Sequence, residues 1–142
     1  MGRAVLLLIL LLPACAAQRP QSAEALRQQM TTSKAERFEV RRRHRDVAAS
    51  LHRNAQKCLD VNSKGVLYKP TMVVSSRKAE LHVHRQDGAD AYYVLVVDAW
   101  PVRRDRTAVQ LFSSNGYDAL TGAVKAWAKG ANAACPDMTR TG

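Results

Sequence analysis

The chain has 142 residues, enough for one domain with a core of its own, and its 46% hydrophobic fraction excludes wholesale disorder. Lys and Arg total 22 against 12 Asp and Glu, a formal net charge of +10 in which arginine dominates. Such a field favours polyanionic partners and leaves their identity to the compartment.

Met1-Gly2-Arg3 is a brief basic start, and Ala4 to Leu12 is an uninterrupted apolar run. As a helix that run reaches only about 14 Å, against roughly 30 Å for a bilayer core, so it reads as a secretory signal and not as a membrane span. The following Leu12-Pro13-Ala14-Cys15 resembles the lipobox of bacterial lipoproteins, with a Leu three before the Cys and a small residue just before it. The resemblance covers the leader alone. It implies cleavage before Cys15, a diacylglycerol on its thiol, and acylation of its new amine, for instance by palmitate. Ala16 in place of an Asp favours the outer membrane of a bacterial envelope, with the domain facing the periplasm. Ala14-Cys15-Ala16 also reads as an ordinary A-x-A cleavage signal, which leaves a soluble periplasmic domain open.

The division that follows is a signal peptide at 1–14, a lipidated tether at 15–33 and a single domain at 34–142. With Cys15 lipidated, Cys58 and Cys135 remain as an even pair in an oxidising compartment, where a disulfide between them is expected.

Residues 16–33 are rich in Gln, Ser and Thr, as a tether would be, although Leu26 and Met30 share a helical face. From Lys34 to Asp60 there is no Gly or Pro, and Val47, Leu51, Ala55 and Cys58 recur at helical spacing, which predicts one long amphipathic helix. Glu39 with Arg43, and Arg42 with Asp46, add pairs four apart. Asn62, Ser63 and Gly65 stop the helix.

The period then changes to two. Val66 to Ser75 is β-rich and carries Pro70. Ala79, Leu81 and Val83 alternate with Glu80, His82 and His84. A turn at Gln86 to Asp90 leads into Ala91 to Val97, apolar on both faces and so the central strand. Pro101 to Arg106 turns again into a strand from Thr107 to Ser113. Leu120, Val124 and Trp127 line a last helix, from about Tyr117 to Lys129, ended by Gly130. The expected fold is α+β: a long N-terminal helix, an antiparallel meander of about four strands and a C-terminal helix, in two layers.

Few residues point to chemistry. His82, His84 and Glu80 read as a solvated strand face, His44 and His52 as surface positions, and Asp87 with Asp90 as turn chemistry. G-x-S-x-G, H-E-x-x-H, Walker and C-x-x-C motifs are all missing from the sequence, so no catalysis, cofactor or metal is expected. Tyr92, Tyr93, Trp100 and Trp127 read as core residues. The conspicuous polar feature is Arg41-Arg42-Arg43-His44-Arg45, with a second cluster at Arg103, Arg104 and Arg106. Together they suggest contact with anionic lipid, lipopolysaccharide or an acidic envelope protein, in addition to the membrane reached through the anchor. Export removes the chain from most nucleic acid. A cytosolic nucleic-acid-binding protein would require a start further downstream, for example at Met30.

Overall fold

Alternating strands, tight turns and two amphipathic helices assemble into one antiparallel sheet with helices packed on it. The computed structural model describes residues 18–30, 35–59, 62–63, 66–132 and 135–138. Cys15 and the rest of the leader lie outside these residues.

The elements are α1 (Ala23–Met30), β1 (Glu36–Val40), α2 (His44–Leu59), β2 (Asn62–Ser63), β3 (Val66–Val74), β4 (Ala79–Asp87), β5 (Asp90–Arg103), β6 (Arg106–Ser113) and α3 (Asp118–Ala128). The sheet order is β1-β6-β5-β4-β3-β2 with every neighbour antiparallel. Five strands run five residues or more, against the four or so expected, because β1 joins the edge of β6, and β2 is a two-residue flank. The α+β class and the antiparallel meander from β3 to β6 are as expected.

The alternation in β4 sends Ala79, Leu81 and Val83 into the main core beneath α2 and α3. Val47, Leu51 and Ala55 of α2 meet Leu120, Val124 and Trp127 of α3 there, the stripe that helical spacing selects. β5 is apolar on both faces because both are covered. Leu95, Val97 and Ala99 join the main core, whereas Val96 packs with Leu26 of α1 and Phe112 of β6 on the opposite face. A bulge pairs Val83 with Leu95 and His84 with Tyr93, leaving Val94 unmatched across β4 and placing it also in the main core. Gly88 has φ 58 in the β4–β5 turn, the backbone conformation that the Asp-Gly pair supplies.

Three expectations are corrected. The segment Lys34 to Asp60 is not one helix: its start is strand β1, in which Phe38 and Val40 face the core and alternate with exposed Arg37 and Glu39. The edge of β6 receives it, pairing Phe38 with Val109 and Val40 with Thr107. Glu39 therefore does not pair with Arg43 along a helix; Arg106 Nη1 donates to its carboxylate at 3.4 Å. The segment read as a tether is part of the domain from Gln18 to Met30. Leu26 is fully buried, Pro20 is buried, and Arg27 is ion-paired to the sheet. With α1 on the face opposite α2 and α3, the two expected layers gain a partial third.

Cys58, at the end of α2, is bonded to Cys135 beyond α3 across a sequence separation of 77. Among the described residues no helix is long and apolar enough to cross a membrane.

Candidate anion-binding pocket

Three connections meet at one end of the sheet: the β3–β4 turn, the β5–β6 turn and the start of α2. Each is built locally. Ser75 Oγ accepts from the Lys78 N–H at 3.0 Å and the Arg77 N–H at 3.3 Å, which closes the first turn and exposes Ser76. Arg103 faces Arg106 across the second, leaving Arg104 and Asp105 at its tip. The carbonyl of Arg43 accepts from the N–H groups of Asp46 and Val47, both at 3.0 Å, and so opens α2. Thr107 Oγ1 donates to the Arg42 carbonyl at 2.8 Å, tying the start of α2 to β6.

Between these connections lies an open pocket of about 420 Å³, lined by Arg43, His44, Arg45, Ser76, Pro101, Val102, Arg103 and Arg104. The two arginine clusters of the sequence, some sixty residues apart along the chain, therefore share one cavity. Arg43, Arg45, Arg103 and Arg104 are exposed and form no ion pair with any described residue. Asp46 and Asp105, the acidic residues nearest them in sequence, are exposed and do not pair with them either. Four permanently charged forks around one cavity favour oxyanions, which guanidinium groups bind through paired hydrogen bonds.

The remaining members of the two clusters are employed elsewhere. Arg42 Nη1 donates to the Ala128 carbonyl at 3.1 Å, at the C-terminal end of α3, where a cation meets the negative end of the helix. Gly130 lies close by with φ 92, a left-handed backbone conformation that favours glycine, and a Cβ there would stand 3.0 Å from the Arg42 guanidinium. Arg106 is held by Glu39, and Arg41 is exposed outside the pocket lining. His44, expected at the surface, is 7% exposed, and its Nε2 has no hydrogen-bond partner among the described residues. It is buried because α2 starts against the sheet end and not in solvent.

A second polar cluster fastens α1. Arg27 straddles Asp98, with Nε 3.0 Å from Oδ2 and Nη2 2.7 Å from Oδ1, and also contacts Glu80. Lys78 Nζ donates to Glu80 at 2.8 Å and lies 3.2 Å from Asp98. The hydrogen bond from Lys78 and the nearby charges of Lys78 and Arg27 hold the Glu80 carboxyl below its ordinary range against the opposing effect of burial. Burial holds His82 below the usual histidine range. The face bearing Glu80, His82 and His84 is thus partly covered and not the solvated face expected, with both imidazoles packed against the Tyr93 ring. This arrangement fastens a helix. Arg27, Lys78 and Asp98 escaped sequence reasoning, although Asp98, a carboxylate inside the apolar run of β5, was a signal that a cation must meet it.

Trp127 is fully buried and Tyr92 nearly so, as expected; Tyr93 and Trp100 are half-buried, Trp100 beneath the Arg37 guanidinium at 5.0 Å. Asp90 pairs with Arg19 at 2.9 Å, and Asp87 with Arg85 at 3.3 Å. Among the described residues no group of three His, Cys, Asp or Glu comes together to hold a metal. Neither the protein-family models nor the curated proteins compared with the chain gave a match.

Proposed function

We propose that the chain is a bacterial envelope lipoprotein, anchored through acylated Cys15, whose domain is a non-enzymatic receptor for an anionic ligand. The observation that carries the binding part is the convergence of Arg43, Arg45, Arg103 and Arg104, unpaired, on one pocket. Unpaired like charges gathered in one place repel each other, so a fold that gathers them without a counter-charge gains stability when an anion binds. The lipobox-like leader supports the address, and the Cys58–Cys135 bridge suits the oxidising side of a membrane. A start at Met30 has little support, because it would remove the fully buried Leu26 and the Arg27 that neutralises Asp98.

Titration calorimetry with inorganic tripolyphosphate tests the binding part. Affinity falls as salt rises, and Arg45→Ala or Arg103→Ala each weakens it about tenfold, the effect of losing about 1.4 kcal/mol of charge-assisted contact. Arg106→Ala, outside the pocket lining, leaves affinity within about twofold. Equal losses at Arg106 and Arg103 would show that net charge, not this pocket, attracts the anion. The address is tested by intact mass: a mature form beginning at Cys15 with added acyl mass, abolished by Cys15→Ala. A form beginning at Ala17 or Gln18 without lipid would identify a soluble periplasmic domain instead.

A further inference from the structure

The two ends of β5 fix the position of the pocket relative to the point where the chain leaves toward Cys15. At the first end, Arg19 Nη1 lies 2.9 Å from Asp90 Oδ2, and its guanidinium stands 4.8 Å from the centre of the Tyr92 ring. The Tyr93 N–H donates to the Pro20 carbonyl at 2.9 Å, and Pro20 is buried. Gln29 Nε2 reaches back from α1 to the Gln18 carbonyl at 2.8 Å. Residues 18–20 are therefore bound beside the β4–β5 turn. At the second end, Arg103 and Arg104 wall the pocket.

β5 runs 14 residues from Asp90 to Arg103. At about 3.3 Å per residue its ends stand roughly 40 Å apart, with the bulge and twist shortening this by a few ångströms. Only Ala16 and Ala17 separate Cys15 from Gln18, so the Cα of Cys15, whose thiol would carry the lipid, lies within about 11 Å of the Cα of Gln18. The segment that would have allowed the domain to swing free of its anchor is occupied in packing α1 against the sheet. With Cys15 held in a bilayer and β5 standing away from it, the β4–β5 end is proximal and the arginine pocket distal. In that upright orientation the separation is about four to five Debye lengths at physiological salt, beyond the reach of headgroup charge.

We propose that the pocket binds a multiply charged oxyanion of the phosphate type, presented from the aqueous side of the domain and not by the bilayer that holds Cys15. The inference rests on both parts of the reading above, the anchor and the anion. Four guanidinium groups remain charged at any physiological pH, so a monoanion would neutralise only a fraction of the site, and a ligand with several negative charges is the better match. The cavity of about 420 Å³ falls within the roughly 300–1,000 Å³ of small-molecule sites. The start of α2 adds a partial positive charge at the same place, although the site stands on the arginine side chains.

The test uses the full mature protein, acylated at Cys15 and reconstituted in vesicles of phosphatidylcholine alone or of phosphatidylcholine mixed with phosphatidylglycerol. Each is titrated with inorganic tripolyphosphate at physiological salt. Agreement of the two dissociation constants within about twofold is expected. Weakening of about tenfold or more on the anionic vesicles, relieved by added salt, would mean that headgroups compete for the pocket and would overturn the proposal. Absence of probe binding in both vesicles and by the Cys15→Ala protein would overturn the anion reading, and this proposal with it. Absence of acyl mass, with probe binding retained, would overturn the anchor reading and the orientation while leaving the pocket standing.

Discussion

Removing the Cys58–Cys135 bridge tests how much of the domain's stability comes from a single covalent closure. The bond spans a sequence separation of 77, for which the chain-entropy relation gives about 4.5 kcal/mol at 25 °C. In a domain of about 125 residues, with an unfolding entropy near 0.26 kcal/mol/K, that corresponds to a fall in Tm of roughly 17 °C. Cys58→Ala with Cys135→Ser is the suitable variant, because Cys58 is buried against the core and Cys135 is exposed. Urea denaturation followed by far-UV circular dichroism separates the two places where the loss could arise. If the bridge acts by restricting the unfolded chain, its removal lowers the midpoint and raises the m-value, since the opened chain exposes more surface. A lowered midpoint with an unchanged m-value would place the effect in native packing instead. A loss below about 1 kcal/mol would refute the loop-closure reasoning outright.

Other outcomes follow from the cluster under α1. Arg27→Met leaves Asp98, whose side chain is 8% exposed, with Lys78 as its remaining cation among the described residues. The expected cost is about 3 kcal/mol in urea denaturation, partly restored by adding Asp98→Asn; a loss under about 1 kcal/mol would mean the cluster does not fasten the helix. Acid should weaken the same contact. His82 and Glu80 are both held below their ordinary values of 6.5 and 4.5, so each contributes stability that is present above those values and lost as pH falls. Urea midpoints measured from pH 7 downward should therefore decline first below about 6.5 and further below about 4.5, with His82→Gln flattening the upper part of the curve. A profile flat between pH 7 and 5 would contradict the burial of a neutral His82.

Periodicity carried most of the sheet and both main helices into view, because β3 to β6, α2 and α3 bury their side chains in the patterns that local spacing reveals. The failures have a common cause. Residues 36–40 carry no breaker, so nothing local separates them from the helix that follows; their state is decided by the edge of β6, which lies about seventy residues further along the chain. Residues 18–30 have a linker's composition, yet Leu26 has a fully enclosed place because Val96 and Phe112 turn to the second face of the sheet. The strand expected to be doubly buried was thus already a statement that something covers that second face. Asp98 in the same strand likewise asked for a cation. One amphipathic segment meets both demands, because it contains both Leu26 and Arg27.

The distribution of positive charge separates structural from available arginines more sharply than the count does. Arg19, Arg27, Arg42 and Arg106 each meet a carboxylate or a helix-end carbonyl, and Arg37 covers an indole ring. Those contacts hold α1, β1, α2 and the chain's entry into β5, so their charge is committed to the fold. Charge kept only for solubility would be dispersed among acidic neighbours, where it costs nothing. Arg43, Arg45, Arg103 and Arg104 are instead brought to one pocket from two distant segments and left unpaired. Like charges repel, and among the described residues these exposed groups have no paired carboxylate to offset that repulsion. An anion that relieves this repulsion by binding the folded chain more tightly than the unfolded one must appear as thermal stabilisation. That linkage distinguishes a ligand site from a surface merely rich in arginine.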